Sequence, residues 1–163
     1  MTLDLKDGDL VVYPSHGVGR LTDIENQQVA GFEIQVFVIN FDKSRMTLRL
    51  PMAKAKASGL RHLSSCEEVN KALESLKSRL KPKKGLIWSR RAQEYETKIN
   101  SGSLHIIAEV LRELHRSGAE EQSFSERQIY QTALERFASE IAAIENLSEA
   151  EVIERVENLL KAA

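Results

Sequence analysis

The sequence predicts an α+β chain of two domains. A small, strongly bent β sheet or barrel of the SH3 or Tudor kind occupies residues 1–52, and a bundle of about five helices occupies 53–163. Three observations support this. Apolar residues recur at every second position as far as Leu50, the period lengthens to that of a helix after Pro51, and serine capping signals then repeat toward the C-terminus. A chain of 163 residues has room for two small domains, each with a modest core.

In the first domain, Phe32, Ile34, Val36 and Val38 alternate with Glu33, Gln35, Phe37 and Ile39, and Met46, Leu48 and Leu50 alternate with Arg45, Thr47 and Arg49. Such a period of two is that of a pleated strand. Turn residues separate the runs: Pro14-Ser15-His16-Gly17 after Leu10-Val11-Val12-Tyr13, Ala30-Gly31 before Phe32, and Asp42-Lys43-Ser44 before Arg45. Parallel pairing would need crossovers for which the spacing leaves no room.

Each helix start in the second domain has a local cause. Ser65 with Glu68 forms a capping box, as do Ser123 with Glu126 and Ser148 with Glu151, and Ser103 can cap a further helix. The apolar stripes that follow are Val69, Leu73, Leu76 and Leu80; Leu104, Ile107, Ala108, Leu111 and Leu114; Ile129, Ala133, Phe137, Ile141 and Ile144; and Val152, Val156, Leu159 and Leu160. A helix beginning near Trp88 carries Tyr95 and Ile99 and stops at Ser101-Gly102. Gly118 ends the third, and a short helix is expected near Ala53 to Ser58.

The charge is unevenly spread. Lys77, Arg79, Lys81, Lys83, Lys84, Arg90 and Arg91 surround the only tryptophan, Trp88, with no acidic residue among them. After Arg91 there are 14 Glu against 7 Lys plus Arg, so the net charge of -1 conceals a local positive patch. Cations can neutralise phosphates and release counterions, and an indole can stack on bases or part them. A basic run is also what a solvated linker looks like, and a single Trp also what a core residue looks like; their adjacency favours nucleic acid. Pro82 and Gly85 make part of the patch a loop. If Trp88 lies in the first turn of its helix, free N–H groups add to Arg90 and Arg91 in attracting phosphate. No helix is rich in the Asn, Gln and Arg that would read base edges, so binding is expected to be largely sequence-independent.

Other chemistries find no support. His16, His62, His105 and His115 are scattered, Cys66 has no partner for a disulfide or a thiolate cage, and nothing resembles a phosphate loop, so no catalytic residue, metal ligand or cofactor is assigned. The N-terminus lacks a secretory pattern and no apolar run is long enough to span a membrane, so a cytoplasmic location is expected; association with the nucleoid and a monomeric state are further expectations.

Val11-Val12-Tyr13-Pro14 with His16-Gly17, then Met46-Thr47-Leu48-Arg49-Leu50-Pro51, then Trp88-Ser89-Arg90-Arg91 opening a helix, resemble in order and spacing the CarD/CdnL family of bacterial transcription regulators. The likeness covers nearly the whole chain. It implies a Tudor-like module that binds the RNA polymerase β subunit, and a helical module on promoter DNA whose tryptophan enters the minor groove at the upstream edge of the open bubble. Arg45, Thr47 and Arg49 are the expected polymerase contacts, and a solvated strand edge kept apart by charge is the bland reading of the same residues. Trp88, Arg90, Arg91, Lys83, Lys84, Lys81 and Arg79 are the expected DNA contacts. The resemblance departs at Gln93, where some relatives carry a cation. A nucleoid architectural protein acting without polymerase would use the same basic patch and leave the β module without a role.

Overall fold

The computed structural model describes residues 5–78, 87–115 and 123–161, which form two compact units, 1–63 and 64–163. Each is described by itself.

The first unit contains β1 (Leu10–Tyr13), β2 (Gly17–Val29), β3 (Phe32–Phe41), β4 (Met46–Pro51), the one-turn helix α1 (Met52–Ala55) and β5 (Arg61–His62). The strands form one antiparallel sheet in the order β4-β3-β2-β1-β5, the Tudor-like architecture expected. Two local features bend and shape it. The β2–β3 register slips between Leu21 and Asp23, where the Thr22 hydroxyl donates to the Val38 carbonyl at 3.2 Å, and such a bulge sharpens strand twist. The hairpin closes through Ala30 and Gly31 at φ 53° and 83°, the positive values that a tight two-residue turn demands. At Gly19 a Cβ would sit 2.7 Å from Ile39 Cγ2 and 2.8 Å from Phe41 Cε1, so the core side chains of β3 close directly on this backbone.

Alternation on β3 proves incomplete. Phe37, Ile39 and Phe41 enter the core with Val11, Leu21 and Leu50, while Val36 and Val38, on the opposite face, are buried as well. The strand lies between β2 and β4, and on its second face Glu25 and Arg49 of those strands flank the two valines. Tyr13, His16 and Phe41 form a ring cluster, with Tyr13 and His16 stacked at 5.5 Å and 10°. His16 therefore holds the turn after β1, as its N–H donation to the Tyr13 carbonyl at 2.9 Å also indicates.

The expected boundary after residue 52 falls too early. Ala55 and Leu60 join the core of the β unit, and Val11 and Val12 on β1 pair with His62 and Arg61, so the chain leaves this unit only after Leu63. A strand of two residues has no periodicity by which to announce itself.

The second unit holds five helices among the described residues: α2 (Cys66–Ser75), α3 (Trp88–Asn100), α4 (Leu104–Leu114), α5 (Phe124–Glu145) and α6 (Glu149–Lys161). The serine caps form as expected. Ser65, Ser123 and Ser148 accept from the N–H of Glu68, Glu126 and Glu151, each at 3.2 Å, and Ser103 from that of Ile106 at 3.5 Å. Only Glu151 completes its box by accepting the serine N–H, at 3.3 Å; Glu68 and Glu126 take the serine hydroxyls instead. Helix α5 buries more than its expected stripe, adding Tyr130, Leu134, Ala138 and Ala142, because it packs against α3, α4 and α6 together. It ends at Asn146, left-handed at φ 56°. The buried carboxylate of Glu140 accepts the Ser64 N–H at 2.7 Å, fixing the first residue of this unit to α5.

Candidate nucleic-acid interface

Helix α3 starts at Trp88, so the tryptophan does occupy the first turn. This start differs from the serine-capped ones. The residue before it is Ile87, which offers no side-chain acceptor, and the first turn contains no acidic group. The N–H groups of Arg90 and Arg91 turn back to the Ile87 carbonyl at 3.2 and 3.1 Å. The positive end of the helix dipole thus adds to the Arg90 and Arg91 cations and meets no carboxylate in its own first turn.

Trp88 is half-buried: its ring packs on the helical core while part of it faces solvent. Tyr95, two turns further on, supports it, with ring centroids 6.3 Å apart and planes inclined by 50°. The spacing of three and four residues puts Trp88, Arg91 and Tyr95 on one stripe, and the stripe ends in the core at Tyr95 and Ile99.

The two arginines have different surroundings. Arg90 is exposed. Arg91 is partly buried, with its guanidinium carbon 5.6 Å from the Trp88 ring centre and 5.7 Å from that of Tyr95. Its Nη2 donates to the Tyr95 hydroxyl at 3.0 Å, and its Nε is enclosed without a partner. The buried carboxylate of Glu113, on α4, acts on the same hydroxyl electrostatically. Burial raises the Tyr95 pKa above that of a free phenol; Glu113 pushes the same way and Arg91 against it. The hydroxyl accepts from Arg91.

Other expected DNA contacts, Arg79, Lys81, Lys83 and Lys84, lie outside the described residues. Lys77 is described; its ammonium sits 3.3 Å from Glu74 Oε2. The solvent side of α3 beyond its first turn carries Gln93, Glu94, Glu96 and Thr97, which limits attraction for phosphate to the helix start. Among the described residues no group of His, Cys, Asp and Glu could hold a metal ion, and no helix is long and apolar enough to cross a membrane.

On the β unit, register places Thr47 opposite Asn40 and Arg49 opposite Val38, so both lie on the outward face of the edge strand β4. Both are exposed. Arg49 Nε lies 3.6 Å from Glu25 Oε2, and since Glu25 stands opposite Val36 on β2, this ion pair reaches across β3 above the two buried valines. Arg45, expected on the strand, belongs to the turn before it at φ 53°.

Tyr95 and Glu113 are the site residues the sequence reading missed. Tyr95 was legible in principle, four residues after Arg91; Glu113 sits in the apolar run of α4 with nothing to mark its inward aim.

Residues 71–157 match the family described as CarD, C-terminal domain, and residues 5–64 match the CarD-like/TRCF RID domain. The chain is also similar to the "Putative transcription factor YdeB" of Bacillus subtilis (strain 168), with 29% identity over 150 residues that cover 89% of this chain and 95% of that one.

Proposed function

Because the chain belongs to the CarD-like family of transcription factors, we propose that it binds the RNA polymerase β subunit through its β unit and stabilises the promoter open complex through Trp88. The observation that supports this most is the half-exposed indole at the first turn of an uncapped helix, with the exposed Arg90 beside it. A flat apolar ring anchored at its base and flanked by cations suits a place where bases are already unstacked. Parting stacked bases costs a few kcal/mol; at the upstream edge of a melted bubble that cost has already been met, and the ring opposes reannealing.

Only a difference in affinity between open and closed states can shift their balance. A preference of about 1 to 2 kcal/mol for the open form raises its population about five- to thirtyfold where it is small. The minor groove is the expected face, since Arg90 and the helix N-terminus act on phosphate and no described residue is arranged to read the major-groove code. The β unit supplies location. Thr47 and Arg49 present a hydroxyl and a guanidinium on an edge strand, chemistry that suits an acidic partner surface with main-chain groups to share. Two weak attachments joined in one chain then act together through effective concentration. Arg79, Lys81, Lys83 and Lys84 would add phosphate contacts.

Open-complex lifetime on a short-lived promoter, measured by challenge with a competitor, tests this. The full chain is expected to lengthen it about five- to thirtyfold, and an unchanged lifetime at saturating protein overturns the reading.

A further inference from the structure

We propose that Arg91 is not a phosphate ligand but a positioning residue, which clamps the face of Trp88 and is itself held by Tyr95. This rests on the reading that Trp88 meets DNA. Three observations point inward. The guanidinium lies against two rings, at 5.6 Å from Trp88 and 5.7 Å from Tyr95. Its Nη2 is engaged by the Tyr95 hydroxyl at 3.0 Å. Its Nε is shut away from solvent. A guanidinium is suited to this because it is flat, stacks on aromatic faces and donates along its edge at the same time. A compact ammonium cannot do all three.

The consequence is a division of labour between two adjacent arginines. Arg90 faces water and is free to neutralise a phosphate. Arg91 fixes the plane of the indole before DNA arrives, so the ring does not lose that freedom on binding.

Trp88 is the sole tryptophan, so its fluorescence reports directly. In the full chain without DNA, Arg91→Ala is expected to raise the acrylamide quenching constant of Trp88 about twofold by uncovering one ring face. Arg91→Lys, which keeps the charge, should behave like the alanine variant. Tyr95→Phe keeps the ring and removes only the hydroxyl, and should shift quenching in the same direction by less. With forked DNA, Arg90→Ala should reduce the slope of log affinity against log salt by about 0.9, the value for one phosphate. Arg91→Ala should leave that slope unchanged and weaken binding about threefold at every salt concentration, as loss of a pre-set ring would.

The proposal is overturned if Arg91→Lys retains wild-type quenching and affinity, or if Arg91→Ala lowers the salt slope as Arg90→Ala does. If Arg91→Ala fails to fold, unchanged quenching in Tyr95→Phe overturns it instead. Because quenching is read without DNA, failure of the wedge reading would appear separately, as a fork preference that Trp88→Ala leaves intact.

Discussion

With Trp88 replaced by alanine, open complexes formed in the protein's presence should decay about five- to thirtyfold faster and approach the protein-free lifetime. Polymerase capture should remain, since Arg49 and Thr47 belong to the other compact unit. The variant should also fold. Trp88 packs only on the margin of the helical core, whose closed interior is made by Leu111, Leu114, Leu134, Phe137 and Ile141. Losing a partly exposed ring costs less than the ~3 to 5 kcal/mol of emptying a buried aromatic site. Circular dichroism checks the fold and competitor challenge the lifetime. A folded variant with wild-type lifetime would remove the wedge from the account.

Reversing the charge of Arg49 should act at the other end. Arg49→Glu places a second carboxylate opposite Glu25, across the buried Val36 and Val38, and turns an attraction for an acidic partner into repulsion. Like charges brought together at an interface weaken it strongly, so polymerase capture by the full chain is expected to fall about ten- to a hundredfold. The fold should survive, because a surface ion pair contributes at most about 1 kcal/mol. Glu25→Gln, which leaves Arg49 unpaired and cationic, should retain capture. The lifetime effect should return when Arg49→Glu is supplied at high concentration, since the β unit contributes local concentration and not the preference for open DNA. Capture unaffected by the reversal would break the assignment.

Most of the architecture was legible because its causes are local. A serine followed three residues later by glutamate marked α2, α5 and α6, Ser103 marked α4, and the turn residues at Ala30-Gly31 marked the long hairpin. What stayed hidden depends on distant neighbours. Val36 and Val38 belong by alternation to one face of a half-buried strand, yet both are buried, at a strand flanked on each side by another. The strand β5 is too short to show a pattern, which moved the unit boundary to Leu63. Arg45 continues the alternation of β4 in sequence, yet its left-handed backbone puts it in the turn.

The candidate site shows the same division. A helix beginning near Trp88 was legible in the sequence, with the first-turn position of the tryptophan a condition that the structure meets. The different surroundings of Arg90 and Arg91 were not, because adjacent helical positions diverge by about 100° and which of the two falls on the side of Trp88 and Tyr95 depends on the face that α3 turns to the core. A basic patch in sequence counts cations without saying which of them face water.

The most direct measurement is a photo-cross-link from position 88. A photoreactive aromatic residue placed there in the full chain, on an assembled polymerase–promoter complex, should join to DNA at the upstream edge of the melted region, and far more in the open complex than in the closed one. Cross-links that form only to protein, or equally in both complexes, would contradict the account.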